Sequence, residues 1–343
     1  MRIATYNVEW FTNLFNRDDE LLVDDGWSGR QNVTRAAQIE ALAKVFVAID
    51  ADAVMVIEAP DSNGRRSTVK ALENFARAFE LRTTRALIGF VNNTQQEIAL
   101  LYDPNVCRVR HDPRGDSADS HLPDAAPRFE GTFRMDLDTD AVHESIEFSK
   151  PPLEVELIAP TGRKLRLIGV HVKSKVPHGA RSQKARVRLA IENRRKQLAQ
   201  CIWIRRRVEG HLDAGEPAIV MGDFNDGPGL DEYENLFGHS GVEVVMGCDG
   251  SDRRQLFDPA AMETLSRRSA LRPSTSRFLL QDRGVYMNAL LDYIMVSPDL
   301  RKLKPHWEIW HPFDNPKCFD ALELREALLT ASDHFPVTLD IRV

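Results

Sequence analysis

Apolar positions recur along this chain with two different periods. Short stretches in which they stand together or alternate with polar residues predict strands, and stretches spaced by three and four predict helices. The strand-like stretches are 2–9, 53–57, 87–91, 98–102, 153–158, 164–172, 218–221, 242–246, 289–296 and 336–341. Helical spacing appears over 31–49, where Ile39, Leu42, Phe46 and Ile49 share a stripe, and over 67–79, 183–208 and 231–237. Pro160-Thr161-Gly162 and Asn92-Asn93-Thr94 supply turns between adjacent strands. Strands and helices mix without a Gly-rich phosphate loop. That argues for an α/β fold of two mostly antiparallel sheets packed face to face with helices outside, and against a nucleotide-binding doubly wound sheet.

Three polar, irregular segments read as insertions: 107–150, 249–285 and 301–329. In the first, His111, His121 and His143 lie among acids at spacings that fit no metal template, so it reads as a solvated loop or hairpin. In the third, Trp307, Trp310, Phe313 and Phe319 read as packing a flap onto the core rather than stacking on bases.

Composition narrows the class. The 343 residues allow two domains, but the chemically interesting positions run from Asn7 to His334 and must converge, which favours one domain over 1–343. No apolar run approaches a membrane span, and the opening Met1-Arg2-Ile3-Ala4 is already strand-like rather than a leader, so a cytoplasmic protein is expected. Cys107, Cys201, Cys248 and Cys318 are scattered, as reduced thiols would be. The net charge of −6 hides an asymmetry: residues 163–207 carry fifteen Lys/Arg and one acid, leaving thirty basic against fifty acidic residues elsewhere.

The chemistry centres on Ala218-Ile219-Val220-Met221-Gly222-Asp223-Phe224-Asn225-Asp226-Gly227-Pro228-Gly229. In extended chain Asp223 and Asn225 point to one side, at the mouth of a sheet, where α/β proteins keep their sites. A charged acceptor beside a group that donates and accepts suits holding and deprotonating a water next to a phosphate. The plainer reading is a strand end with an Asx turn. Asn7 and Glu9 share parity and should face one way. Glu58 closes a wholly apolar strand, where a carboxylate must meet a metal or an arginine. His171 ends another strand with Lys173 on the same parity and Lys175 beyond. Arg181, Lys184, Arg186, Arg188, Arg194, Arg195 and Lys196 crowd the first half of the helix 183–208. One reading is a solvated face. The other is contact with a phosphate backbone through Lys173, Lys175, Arg194 and Arg195, since so uniform a sign repels itself unless a polyanion or the acidic remainder neutralises it. Arg253, Arg254, Arg267, Arg268, Arg272 and Arg277 form a second basic cluster.

The Gly222-Asp223-Phe224-Asn225-Asp226 segment resembles a motif of the endonuclease/exonuclease/phosphatase (DNase I-like) superfamily. Five further segments resemble that family in its own order: Thr5-Tyr6-Asn7-Val8-Glu9, Val56-Ile57-Glu58, Val170-His171-Val172-Lys173-Ser174, Leu291-Asp292-Tyr293-Ile294 and Ser332-Asp333-His334. The version around His171 looks like that of bacterial nuclease-like members. The resemblance implies a four-layer sandwich and a hydrolase of phosphoric esters. It further implies Mg²⁺, or Mn²⁺ in its place, held by Glu58 with Asn7 and Asp333, and His171 on the scissile phosphate. Asp223 is then a general base, Asn225 orients the water or phosphate, and His334 is a charged donor paired with Asp292, although the proton acceptor is open between Asp223 and His334. Glu9 matches a second acidic position of less definite role. One departure is Ser149-Lys150-Pro151-Pro152, where many relatives have Arg before the prolines, and it is expected to leave the core of the site untouched.

The expected function is a metal-dependent phosphodiesterase, foremost a nuclease on DNA or RNA, with a nucleic-acid substrate and no membrane span. The alternatives are a same-fold enzyme on small esters (inositol phosphates, phospholipid head groups, a protein–DNA phosphodiester) and an inactive binding module. The last is disfavoured by the joint presence of Glu58, Asp223, Asn225, Asp292, Asp333 and His334.

Overall fold

The computed structural model describes residues 1–115, 126–135, 144–177, 179, 182–228, 238–266, 272–280 and 284–343. Two sheets pack face to face. The first holds β1 (Arg2–Asn7), β2 (Ala53–Ala59), β3 (Arg85–Ile88), β4 (Glu97–Tyr102), β14 (His306–Ile309) and β15 (Val337–Asp340), in the order β14-β15-β1-β2-β4-β3. The second holds β5 (Arg108–His111), β8 (Leu153–Ile158), β9 (Lys164–His171), β10 (Ala218–Asp223) and β13 (Asp292–Val296), in the order β13-β10-β9-β8-β5. Only β1–β2 and β9–β10 pair in parallel within these sheets. Two ribbons stand apart: β6 (Phe133–Met135) with β7 (Glu144–Ile146), and β11 (Ser276–Leu280) with β12 (Val285–Ala289).

Among the described residues the α-helices are α1 (Arg35–Ile49), α2 (Thr68–Ala78), α3 (Gln183–Asp213), α4 (Gly241–Met246), α5 (Pro259–Ser266), α6 (Pro298–Arg301), α7 (Pro316–Asp320) and α8 (Leu322–Ala331). Four begin on a hydroxyl: Thr34, Ser67, Ser182 and Ser240 accept from the N–H groups of Ala37, Lys70, Ala185 and Glu243. The cap at Thr34 explains why α1 starts four residues later than its periodicity suggests.

Strand alternation sorts the core into layers. Ile3, Met55 and Ile57 from the first sheet meet Leu165, Leu167, Ile219, Met221 and Ile294 from the second. The opposite parity of the first sheet (Tyr6, Val54, Val56) packs under α1, α2 and α8. That of the second (Ile168, Val170, Val220, Tyr293) packs under α3 and α4, around Trp203. The result is helix–sheet–sheet–helix, with the mouth of the sandwich where β1, β9 and β10 end together.

Several expectations need correction. Residues 242–246 form the helix α4, not a strand: Ser240 and Glu243 cap each other reciprocally and Gly247, at φ 75°, ends the turn. Residues 249–285 contain α5 and β11, so they are less irregular than their polarity suggests. Segment 301–329 is woven into the fold, since β14 extends the first sheet beside β15 and α8 packs on α1. Residues 231–237, and with them that expected helix, lie outside the described residues, as do His121, His143, Arg181, Arg267 and Arg268. All four cysteines are free thiols. Among the described residues no helix is long and apolar enough to cross a membrane.

Candidate active site

Asp223 ends β10 and stands in register with His171 on β9 and Asp292 on β13. All three share parity with the inter-sheet core, so they rise from its floor into the mouth. The strand can bring them this close because Gly222, at φ 135°, lies against β9: a Cβ there would run into the Val170 carbonyl.

Beyond Asp223 the chain leaves extended geometry. Asn225 is left-handed (φ 49°), and its N–H donates to Asp223 Oδ1 at 2.7 Å. The Asx turn and the functional pairing are therefore the same structure, because the turn carries Asn225 Nδ2 to 3.2 Å from Asp223 Oδ2. Asn7, at the end of β1, donates to the same oxygen at 3.1 Å from the facing sheet.

Glu58 arrives by a different device. By strict alternation it belongs with Val54 and Val56 on the helix side. A bulge between Ile57 and Ala59, with Glu58 at φ 62°, swings its carboxylate into the mouth. There Oε2 accepts from Trp10 N at 3.0 Å and Gln96 Nε2 at 2.7 Å, while Oε1 lies 4.0 Å from His171 Nε2. Burial pushes the carboxyl above its ordinary pKa, against the pull of Lys150.

The shared direction expected for Asn7 and Glu9 fails, because Glu9 (φ 46°) and Trp10 (φ 58°) are both left-handed and the strand stops at Asn7. Glu9 pairs instead with Arg30 and accepts the Asp333 N–H at 3.0 Å. It clamps the loop that presents the last motif. Ser332 Oγ helps, donating to Asn7 O at 2.7 Å.

His334 Nδ1 donates to Asp292 Oδ2 at 2.8 Å. Its Nε2 is turned toward Asp223 Oδ2 and Asp333 Oδ1, at 4.0 and 3.9 Å. Burial opposes a charge on this ring, but Asp292 and Asp223 outweigh it and hold its pKa well above the ordinary value. Asp223 goes the other way from a normal aspartate. Burial, with Asp292 and Glu58 adding to it, pushes the carboxyl up to about 7 although His334 pulls it down. Burial and Lys150 keep His171 neutral. Its Nε2 lies 3.6 Å from Asp223 Oδ2.

Sequence reasoning missed two residues here. Lys150 Nζ lies 3.2 Å from His171 Nδ1, so the departure before the two prolines falls inside the site rather than outside it. The resemblance marks that position as a departure, and the structure sets its side chain against His171. Thr275 had no signal at all. Its hydroxyl donates to Asp292 Oδ2 at 2.9 Å while accepting the N–H groups of Leu291 and Asp292.

The basic helix divides. Lys184, Arg186, Arg188 and Lys196 are exposed. Arg194 is enclosed, only 1% exposed, and bonded to Asp226 Oδ2 at 2.7 Å and to Gln197. That burial removes it as a phosphate contact. Lys175 pairs with Asp226 at 2.7 Å and Arg195 with Glu144 at 2.6 Å. Lys173 remains at the mouth, where burial and Lys196 depress its pKa. Of the other expectations, His111 packs on Phe90, and Trp307 and Trp310 pack inward, bonded to Ile294 O and Thr338 Oγ1. Phe313 and Phe319 are exposed.

Asp223, Asp292 and His334 lie close enough together to hold a cation, but a charged His334 that donates to Asp292 is no ligand. The donor set that fits a hard divalent ion is on the other side of Asp223. There Glu58, a buried carboxylate raised by burial and by the Asp333 charge, is the acid that a hard divalent ion would meet.

Residues 4–334 match the Endonuclease/Exonuclease/phosphatase family. The chain belongs to that family and is a hydrolase acting on phosphoester bonds. No curated protein matches it in sequence. Among solved structures it is similar to truncated TDP2 from Caenorhabditis elegans, with TM-score 0.51, 14% identity and coverage of 100% of this chain and 97% of that one. It is also similar to the human Nocturnin catalytic domain (0.49, 13%, 100% and 94%) and to an AP endonuclease from Archaeoglobus fulgidus (0.49, 11%, 100% and 100%). At 14% identity the likeness to TDP2 concerns the fold alone.

Proposed function

We propose that this hydrolase is a metal-dependent phosphodiesterase of the nuclease type, cutting a polynucleotide backbone by attack of an activated water. The observation that carries the reading is the opposed tuning of two groups 4.0 Å apart: Asp223, a base matched to neutral pH, and His334, a cation held by Asp292. Asp223 takes the water's proton, and three N–H groups from Asn7 and Asn225 fix the lone pairs it uses. His334 presents Nε2–H to a phosphoryl oxygen, and Asp292, steadied by Thr275, keeps the ring oriented. Neutral His171, with Lys150 and Lys173, binds another non-bridging oxygen. Glu58, Asn7 and Asp333 would hold Mg²⁺, which supplies charge neutralisation at the phosphate and leaving oxygen. The exposed basics of α3 favour a polyanion over a small ester.

The test is hydrolysis of supercoiled plasmid, single-stranded DNA, RNA and bis(p-nitrophenyl) phosphate, with Mg²⁺ and with EDTA, by wild type and His334→Ala. Metal-dependent polymer cleavage that disappears in the variant is expected. Turnover of the small diester without cleavage of any polymer overturns the nuclease reading and redirects the search to small esters.

A further inference from the structure

Beside the catalytic mouth runs a trough that the chemistry above does not use. Two hollows of about 640 and 600 Å³ share Gly29, Gln31, Asn32 and Leu279 and so form one channel. Glu9 and Asp333 mark its inner end and Trp27 its outer end. One wall is the loop around residues 27–33 and the other is the β11–β12 ribbon. That ribbon is tied to the His334 loop by two backbone bonds, Arg277 N to Asp333 O at 2.7 Å and Phe335 N to Thr275 O at 2.6 Å. The trough is therefore fixed relative to the scissile phosphate.

Its walls carry planar groups at the surface. Trp27 is 73% exposed, yet its indole is pinned: Nε1 donates to Arg30 O at 2.7 Å, and its backbone bridges to Thr34. An apolar ring held still in water is a platform. Across the channel Tyr286, 57% exposed, lies under the Arg277 guanidinium, 3.8 Å from ring centroid to Cζ. Stacking uses the face of that guanidinium and leaves its N–H edge, which meets no carboxylate among the described residues. The inner acid Glu9 is already committed to Arg30. Aromatic faces beside a cation that no carboxylate engages are the chemistry that takes unstacked bases and their phosphates.

We propose that this trough is a subsite for a single-stranded polynucleotide flanking the scissile phosphate, with bases on Trp27 and Tyr286 and a phosphate on Arg277. The assignment rests on the nuclease reading. It favours a single strand because a base within a duplex has both faces covered by its neighbours and offers neither to a side chain.

The experiment is steady-state kinetics on a short single-stranded oligonucleotide, the same sequence as a duplex, and bis(p-nitrophenyl) phosphate, with wild type, Trp27→Ala, Trp27→Phe and Arg277→Gln. The expected result is a rise of about fivefold or more in KM for the single strand in Trp27→Ala and Arg277→Gln. The ratio of oligonucleotide to small-diester activity falls in step, Trp27→Phe restores most of it, and the duplex is the poorer substrate. Equal losses on both substrates mean a structural role and overturn the proposal, as does a duplex preference. Wild type that cuts oligonucleotides while the variants match it removes the subsite alone. Wild type that turns over only the small diester removes the nuclease reading and the subsite together.

Discussion

Strand β9 carries charge at both ends, and the two ends treat it oppositely. At its start, Arg166 meets Asp112, Glu156 and Glu216. Arg110 sits on Glu156 at 2.8 Å, His211 on Glu216 at 2.7 Å, and Arg207 on Glu154 at 2.6 Å. The Arg110 guanidinium holds the Glu156 carboxyl down at about 2. At its finish, His171 joins Glu58, Asp223, Asp292 and Asp333, which have His334, Lys150 and Arg30 as nearby positive partners among the described residues, and the Asp223 carboxyl is pushed up to about 7. Four of the ten left-handed non-glycine residues among the described ones, Glu9, Trp10, Glu58 and Asn225, gather at this end. The start of β9 therefore matches each buried acid with an arginine or histidine, although burial still pushes the Glu154 carboxyl up to about 7, while its finish faces an acid-rich mouth with fewer cations, the pattern expected of a binding site.

The sharpest way to break this contrast is at the reactive end. Asp223→Asn and His334→Ala are expected to lower kcat by about 10²–10⁴-fold in initial-rate assays with Mg²⁺. A variant within a few-fold of wild type would remove that residue from the mechanism. The same Asp223→Asn change should not weaken the fold. A carboxyl whose folded pKa is raised contributes stability that is fully present below its ordinary value and is lost as pH rises through about 7. Denaturation in EDTA at pH 8 should then show the amide variant more stable by about 1 kcal/mol or more, and a clear loss of stability would contradict the picture of an uncompensated charge.

The paired end should respond the other way. Arg207→Met leaves Glu154 buried without its partner and is expected to cost about 3–5 kcal/mol in urea unfolding. The kcat of the folded fraction should be unchanged, and Arg207→Met with Glu154→Leu should recover most of the stability. A cost below about 1 kcal/mol would mean that the pair contributes little.

Between the two stands Thr275, a positioning residue that touches no reacting atom. Thr275→Val should lower kcat about tenfold, the equivalent of one lost hydrogen bond to a charged group, with KM unchanged and Thr275→Ser close to wild type. If Thr275→Ser fails as badly as valine, the hydroxyl is not what matters. The smallest effect is expected from Lys184→Glu with Arg188→Glu on the exposed turns of α3. Oligonucleotide binding should weaken and its logarithmic salt slope flatten by about one. An unchanged slope would make this part of the helix a solvated face.

Much of this was readable along the chain. The alternating apolar positions of 153–158 and 164–172 predicted the β8–β9 hairpin, and the motifs pointed to the residues that meet at the mouth. The failures have specific causes. Alternation aims a side chain only while the chain stays extended, and left-handed backbone at Glu9 and a bulge at Glu58 redirect both carboxylates. Local apolar content does not separate a short helix from a strand, and at 242–246 the Ser240–Glu243 cap decided. Arg194 looked like its exposed neighbours because its partner Asp226 lies thirty-two residues away.

The sequence by itself therefore determined the mixed α/β class and most of the strands, since these depend on periodicity, while the resemblance pointed to the residues that come together at the mouth. Only the tertiary structure decided which charges are paired and which are left waiting, that Lys150 and Thr275 belong to the site, and that a trough with pinned aromatics runs beside it. Those outcomes depend on distances between residues far apart in the chain, and on burial that shifts a carboxylate or an imidazole only once the sheets have closed around it.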